Sequence, residues 1–600
     1  MDNKIKKFQK EKIRTSIRKI YPNIKGKELS TLNKKIYRIL ENHLNKNKID
    51  LKSNLQYNSY SRLTEKTIIL ITYGDFIRSK SKKNPLEALH KFSKDYLKSS
   101  FDTIHILPFY PYSSDRGFSV INYKQVDKKI GTWDQISKIG NQFNLMFDLV
   151  LNHISCKSQW FIGFINGDKK FENFFLAYPK KNPLKKSDLA KILRPRVSEL
   201  FSKFSTTKGD QYVWTTFSAD QIDLNYQNPK VLIEMMKVLL FYCKQSVDFL
   251  RFDATTYIWK TMGTNCAHRP EAHAIVSFFR IVLDMVKPNV TIVNETNVPH
   301  LDNISYFGNG YDEAQMVYNF PLPPLTLHTF LTGNCSKLSN WAKTLNTPSD
   351  LTTYFNFLDS HDGIGVLPAK NILTSSEINN LVKTTLKRGG LVNYRTGINN
   401  KKTPYELNIT WYSFLNSKSL EKKSTRIKRY IASRAVALSL KGVPGIYFHG
   451  LFGSKNNKKK ALKTKINRDI NRTNLKEEEL LDLINNKKSV HSLIFSKLLK
   501  LLKLRNKYKA FHPSGKQIIL MNNNSIFSIL RQSRDQKDKV LILINVSNKN
   551  QLFKFYRYEA YFKNFNQAID IITGKTFELN KDVVKINLTP YTVYWLKLVE

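Results

Sequence analysis

Three apolar runs in this chain stop at a carboxylate. They are Val247-Asp-Phe-Leu-Arg-Phe-Asp253, Val290-Thr-Ile-Val-Asn-Glu295 and Phe355-Asn-Phe-Leu-Asp-Ser-His-Asp362. A short continuous apolar run reads as a strand buried on both faces, and such strands belong to parallel sheets covered by helices. An acid at the end of such a strand stands where barrel enzymes assemble a polar site. The predicted fold class is therefore α/β, a (β/α)8 barrel. Its strands are expected near 67–72, 103–110, 145–152, 247–253, 290–295, 316–320, 354–359 and 442–448.

The acids also differ in their surroundings. Arg251 lies two residues before Asp253, and residues at that spacing share one face of a strand, so the guanidinium is expected to hold Asp253 ionised. Glu295 has no cation within four residues before it and only Thr, Asn, Val and Pro after it, which leaves its pKa free to rise. One ionised carboxylate beside one protonated carboxyl is what a retaining glycosyl transfer requires, the first as nucleophile and the second as acid. Taken singly, an acid more often caps a helix or pairs with a surface base, but three in this order argue against that reading.

Around the barrel, 63–513, the chain divides further. Residues 1–62 read as a charged helical extension, with Ile, Leu and Tyr at helical spacing. Insertions are expected at about 154–230, a lobe over the active face, and at about 370–425. Short alternating stretches after 514, such as Ser525-Ile-Phe-Ser-Ile-Leu530, predict a C-terminal antiparallel β domain over 514–600.

The motifs carry a resemblance. Asp148-Leu-Val-Leu-Asn-His153, Arg251-Phe-Asp253, Glu295 and His361-Asp362 resemble the four ordered signatures of the alpha-amylase superfamily, which cover a barrel of roughly four hundred residues. Ile71-Thr-Tyr-Gly-Asp75, His105-Ile-Leu-Pro-Phe109, Asp115-Arg-Gly-Phe118 and Leu358-Asp-Ser-His-Asp-Gly-Ile-Gly365 resemble its sucrose phosphorylase subgroup, which transfers glucose to phosphate. The resemblance implies Asp253 as nucleophile, Glu295 as acid/base and Asp362 as stabiliser of the oxocarbenium-like transition state. It implies that Asp75, His105, His153, Arg251 and His361 grip the glucosyl hydroxyls, with Phe217 and Tyr257 as candidate walls against water.

Arg194-Pro-Arg196 matches the subgroup's Arg-Pro-Arg stretch and implies phosphate binding by Arg196, whose guanidinium can fork onto two oxygens. The string Ile466-Asn-Arg468-Asp-Ile-Asn-Arg472 holds the subgroup's Ile-Asn-Arg twice and implies a second phosphate-binding arginine in the active site, where spacing to the following Glu-rich helix favours Arg472 over Arg468. Departures from the sucrose enzymes fall at Asn297 and Glu406, in Glu295-Thr-Asn-Val-Pro-His300 and Pro404-Tyr-Glu-Leu-Asn408, which puts Asn297, Tyr405 and Glu406 near the acceptor. With Met262-Gly-Thr-Asn-Cys266 and Asp312-Glu-Ala-Gln-Met316, these strings resemble the glucosylglycerate phosphorylase branch. What that implies is cleavage of glucosylglycerate by inorganic phosphate through a covalent glucosyl-enzyme. Sucrose, sucrose 6'-phosphate and glucosylglycerol phosphorylases, and a hydrolase of the same superfamily, are the alternatives.

A formal net charge of +49 raises the possibility of a nucleic-acid partner. The lysines are spread along the whole length beside Asn and Ile, a pattern of solvated faces rather than one binding stripe, so no specific nucleic-acid partner is expected. The partners expected are a small glucoside and phosphate. Cys156, Cys243, Cys266 and Cys335 lack metal-ligand spacing and are expected to be reduced thiols; His268 and His273 lack an acid cluster, and neither a metal nor an organic cofactor is expected. The sequence has no apolar run long enough for secretion or a bilayer, which predicts a cytoplasmic protein with no membrane association.

Overall fold

The computed structural model describes residues 5–600 apart from 83, 182, 197, 397–401, 417–420 and 560. Residues 1–4 of the expected extension, and 397–401 and 417–420 of the expected second insertion, lie outside the described residues. Eight strands close into one barrel: β1 (Ile69–Thr72), β2 (Thr103–Ile106), β3 (Asn144–Val150), β4 (Phe249–Asp253), β5 (Thr291–Asn294), β6 (Met316–Tyr318), β7 (Thr353–Asn356) and β8 (Val443–Tyr447). Each pairs in parallel with its neighbour in sequence, and β8 pairs back onto β1. Ile69, Leu70 and Ile71 are wholly buried, as are Ile104 and Ile106, because helices cover the outside of the sheet while side chains fill the inside.

Two strands are shorter than their apolar runs. β2 stops at Ile106 rather than Tyr110, just ahead of Pro108 and Pro111, which have no N–H to give a ladder. β7 stops at Asn356, so Asp362 sits in the following loop and not at a strand end. Asn356 itself turns its amide to the Lys441 carbonyl at 3.1 Å, and Asp359 is forked by Arg434 at 2.7 and 2.6 Å. The chain is thereby drawn out of the sheet before it reaches the acid.

The first helices lie against the barrel's own helices. In α1 (Lys7–Ile20) Ile13, Ile17 and Ile20 are wholly buried, while Lys12, Arg14, Arg18 and Lys19 face solvent. Ile36, Leu40 and Leu44 do the same for α2 (Gly26–Lys46). Burying each such side chain stabilises the fold by roughly 1.5–3 kcal/mol, so an aspartate at Ile17 would break this packing. Polar ties follow: the Tyr21 hydroxyl donates to the Tyr226 carbonyl at 3.0 Å, and Asn54 donates to the Met285 carbonyl at 2.8 Å, at the end of a barrel helix, α3 (Pro270–Val286).

The excursion after β3 leaves and returns through an antiparallel pair, His153–Ser155 with Gln221–Asp223, and carries a three-stranded sheet of Ala177–Tyr178, Gly209–Trp214 and Phe201–Thr206. Between β7 and β8, Lys402–Asn408 pairs with both Ile364–Gly365 and Leu391–Thr396. From Lys516 onward a six-stranded antiparallel sheet and a separate two-stranded ribbon form the C-terminal domain. At its junction with the barrel two buried guanidiniums hydrogen-bond only to backbone among the described residues. Arg505 donates to the carbonyls of Leu438, Glu65, Gly442 and Phe511, and Arg531 to those of Ser439 and His512, all at 2.7–3.1 Å. No described helix is long and apolar enough to cross a membrane.

Candidate active site

The register of β3 against β4 sets Asp148 beside Arg251 and Val150 beside Asp253. Arg251 and Asp253 share a face, as alternation requires, and the Arg251 Nη1 donates to Asp253 Oδ1 at 2.7 Å and to Asp148 Oδ1 at 2.5 Å. Phe118 and Tyr318 stack their rings on the guanidinium, each 5.4 Å away, so its charge is held in one place. Its other nitrogen, Nη2, lies 3.7 Å from Glu295 Oε2. The acid that has no cation near it in sequence thus has one across the barrel.

Immediately after Asp253 the backbone turns over. Ala254 takes φ 55°, in the left-handed region, a strain of order 1–2 kcal/mol for a residue with a Cβ. The turn aims its N–H at Glu295 Oε2, at a long 3.4 Å. The Glu295 carboxyl has no shorter hydrogen bond among the described residues, and burial, with Asp253 and Asp362 opposing Arg251, pushes it up to about 7. For Asp253 the expectation of a carboxylate held low by Arg251 needs correction. Burial wins over Arg251 and His153, and the direction is upward, although its hydrogen bond to Arg251 is direct. Asp362 goes the other way: burial raises it, but Arg468, His361, Arg472 and Arg251 together hold it well below the usual carboxylate range.

Asp362 is reached by both arginines of the repeated string. Arg468 Nη1 pairs with its Oδ1 at 2.5 Å; Arg472, wholly buried, stands 3.6 Å away with Nε donated to the His361 carbonyl at 2.6 Å. Arg468, not the favoured Arg472, lines the cavity. That cavity is bounded by Asp253, Glu295, Asp362, His153, His361, Phe217, Tyr257, Asn297, Tyr405, Glu406, Arg196 and Arg251, which brings most of the expected set to one wall. His361 stacks on Phe118, ring centroids 4.9 Å apart, and burial keeps it neutral. Phe217 meets His153 at 5.1 Å and Tyr257 edge-on at 5.5 Å.

Two expected sugar ligands stand elsewhere. His105 is wholly buried behind the cavity, its Nε2 bonded to Asp148 Oδ2 at 2.7 Å, where it steadies the carboxylate that steadies Arg251. Asp75 faces a neighbouring cavity with Arg78, Tyr112 and Lys129. Its carboxylate is taken by Arg116 at 2.8 Å, by Asn474 at 2.9 Å and by Arg78 at 3.3 Å. Arg116 is itself held 4.6 Å over the Tyr73 ring, so the pair forms a closed unit beside the site.

On the acceptor side, Arg196 is packed between the Phe217 and Tyr405 rings, 6.0 and 5.9 Å away, with Nη1 3.9 Å from Glu406 Oε1. It makes no hydrogen bond among the described residues. Its neighbour Arg194 turns away to the Ser198 carbonyl. Asn297 points its Nδ2 at the Tyr405 hydroxyl, 3.5 Å away, and leaves Oδ1 buried without a partner. The loop Asp362-Gly-Ile-Gly365 permits this closeness, since a Cβ on Gly365 would stand 2.9 Å from the Asn297 amide and one on Gly363 would stand 2.9 Å from the Glu406 Cβ. Asp148, Asp115 and Gln221 also serve the site. Asp148 stands inside a motif already read from the sequence, whereas Gln221, 3.1 Å from His153 Nε2, carried no signal at all.

His273 pairs with Glu313 at 2.9 Å and stacks on Tyr306; no group of three or more metal-ligating side chains occurs among the described residues. All four cysteines are free thiols.

Comparison with known proteins gives a match of residues 93–388 to the alpha amylase catalytic domain and of 520–596 to the cyclo-malto-dextrinase C-terminal domain. The chain is similar to the glucosylglycerate phosphorylase of Spirochaeta thermophila, 44% identical over 534 residues that make up 88% of this chain and 89% of that one. The glucosylglycerate phosphorylase of Escherichia coli K12 is 38% identical over 89% of this chain and 92% of its own. Among solved structures, the sucrose 6F-phosphate phosphorylase from Thermoanaerobacter thermosaccharolyticum superposes with a TM-score of 0.69 at 27% identity, covering 80% of this chain and 94% of that one.

Proposed function

We propose, from the premise that this chain belongs to the alpha-amylase family, that it is a retaining glucosyl phosphorylase acting on glucosylglycerate. The observation that carries the reading is the contrast across Arg251. Asp253 accepts a direct 2.7 Å hydrogen bond from it, which works against the burial that pushes its carboxyl up; Glu295 has only a 3.7 Å approach and a carboxyl pushed up to about 7, which favours the protonated acid. The names of the relatives supply the phosphate and the glycerate.

In the first step Glu295 gives its proton to the glycosidic oxygen as Asp253 attacks the anomeric carbon, forming a glucosyl ester and releasing glycerate. Asp362, fixed by Arg468, stabilises the positive charge that builds on the ring. In the second step phosphate gives its proton to Glu295 and its oxygen displaces Asp253, yielding α-glucose 1-phosphate with retained configuration. Arg196 holds the phosphate, and the Phe217 and Tyr257 rings keep water from the ester. His153 and His361 meet the glucosyl hydroxyls. Phosphate is the cosubstrate, and no metal or organic cofactor takes part.

The test is the reverse reaction. Glucose 1-phosphate is offered with glycerate, fructose, fructose 6-phosphate or glycerol, and released phosphate is followed. Release with glycerate well above the others supports the reading; release with fructose or its phosphate moves the chain to the sucrose-type substrates. Glucose formation from the glucoside without added phosphate would make it a hydrolase.

A further inference from the structure

Three guanidiniums reach the cavity, and they are balanced differently. Arg251 is matched by Asp148 and Asp253. Arg468 bridges two acids, with Nη1 on Asp362 and with Nε and Nη2 on Glu406 at 3.1 and 2.5 Å. Among the described residues Arg196 pairs with Glu406 alone, 3.9 Å away. Glu406 therefore stands between two cations on the acceptor side. It is 1% exposed and sits inside the strand Lys402–Asn408, and its remaining bond is accepted from Asn393 Nδ2 at 3.2 Å. Every partner of its two oxygens is an N–H donor, so it serves as an acceptor-only carboxylate. Asn467 donates in turn to Asn393 Oδ1 at 2.6 Å, so the amide that meets Glu406 is itself oriented.

We propose that Glu406 is a resident counter-charge that limits how tightly the acceptor subsite holds anions, so that glycerate can leave and phosphate can enter through one place in each turnover. This rests on the phosphorylase reading above. Glu406 acts through Arg196 and Arg468 and is a positioning residue. Two anions must occupy this side in succession, and a subsite with an uncompensated guanidinium would retain the first. With Glu406 present, Arg196 is attracted without being hydrogen-bonded, and its donors are free for whichever anion arrives. The fork on Arg468 also keeps that side chain on Asp362 when the anion changes.

The experiment uses the full chain. KM for phosphate in phosphorolysis and KM for glycerate in synthesis are measured for wild type, Glu406→Gln, Glu406→Asp and Asn393→Asp, with KM for the uncharged donor α-glucosyl fluoride as control. Glu406→Gln is expected to lower both anion KM values about fivefold, with kcat falling as release slows, and to shift the control by less than either anion. Glu406→Asp keeps the charge on a shorter side chain and is expected to leave both anion KM values between those of wild type and Glu406→Gln, and Asn393→Asp adds a charge and raises both. Anion KM values that rise or stay constant in Glu406→Gln, or a control that moves as far as they do, overturn the proposal. Should Glu406→Gln fail to fold, unchanged KM values in Asn393→Asp overturn it instead. A wild type that cleaves its glucoside without phosphate overturns the phosphorylase reading itself, which the same assays reveal before any variant is made.

Discussion

The active site and the junction with the C-terminal domain both bury arginines, and they treat them in opposite ways. Around the cavity, Arg251 and Arg468 are met by carboxylates, and the acids raise their affinity for the proton despite burial. At the junction, Arg505 and Arg531 hydrogen-bond to backbone carbonyls and to no carboxylate among the described residues, and burial pushes both guanidiniums down to about 9. Carbonyl dipoles can satisfy the donors of a guanidinium without cancelling its charge. At the junction the guanidiniums tie the end of the helix Lys423–Ser439 to Gly442, Phe511 and His512. The site needs charges that stay put while a neighbouring carboxylate gains and loses a bond.

Four changes test that contrast, from the largest effect to the smallest. Asp253→Asn removes both the nucleophile and a partner of Arg251, and turnover of every glucoside should fall by about 10⁴-fold or more. Retained turnover, or no glucosyl ester at residue 253 in mass spectra of trapped wild type, would remove the basis for the mechanism. Arg505→Met leaves four carbonyls without their donor and should cost about 3 kcal/mol of stability in denaturant titrations. The activity of each folded molecule should not change; if it does, the two regions are not separable.

Glu295 gives a test in pH. Its folded pKa is raised, so the folded state holds a proton that the unfolded chain loses between about 4.5 and 7. Stability therefore declines as pH rises through that window, and Glu295→Gln should stabilise the fold by about 2 kcal/mol at pH 8 and by nothing at pH 4. In parallel, kcat/KM for the glucoside should drop above pH 7 as the acid loses its proton. Equal melting shifts at both pH values would show that burial is not what raises this group. Last, Arg196→Ala should raise KM for phosphate about tenfold and leave hydrolysis of α-glucosyl fluoride near wild type, as expected for a guanidinium that serves only the anion. An equal loss of both would assign it to the wall and not to phosphate.

Much of this was legible in the residues. The barrel strands announce themselves because strands buried on both faces are built mostly of apolar residues, and Asp253 and Glu295 mark where β4 and β5 emerge. Asp362 was found by its motif, but its strand ends earlier, at Asn356, because side chains of that loop bind partners as distant as Lys441 and Arg434. The charge relations were the least legible. Arg251 reaches Glu295 only because β4 lies beside β5, and Arg468 reaches Glu406 across 62 residues of chain. Asp75 and His105 were read as sugar ligands from their strings, yet Arg116 and Asp148 claim them. Sequence spacing records what lies along a strand, and these pairs are made across strands and loops.

The helical pair at the start of the chain bears on how the enzyme can be cut or fused. Tyr21 touches both the Tyr226 carbonyl and, ring to ring at 6.0 Å, Trp259, and these two positions bracket the segment that carries Asp253 and Tyr257. A version begun at the first barrel strand would bare an oily flank on two barrel helices and leave that segment unsupported. Such a fragment should clump during expression and, where recovered, leak glucose to water. Affinity tags and fusion partners belong at the far terminus.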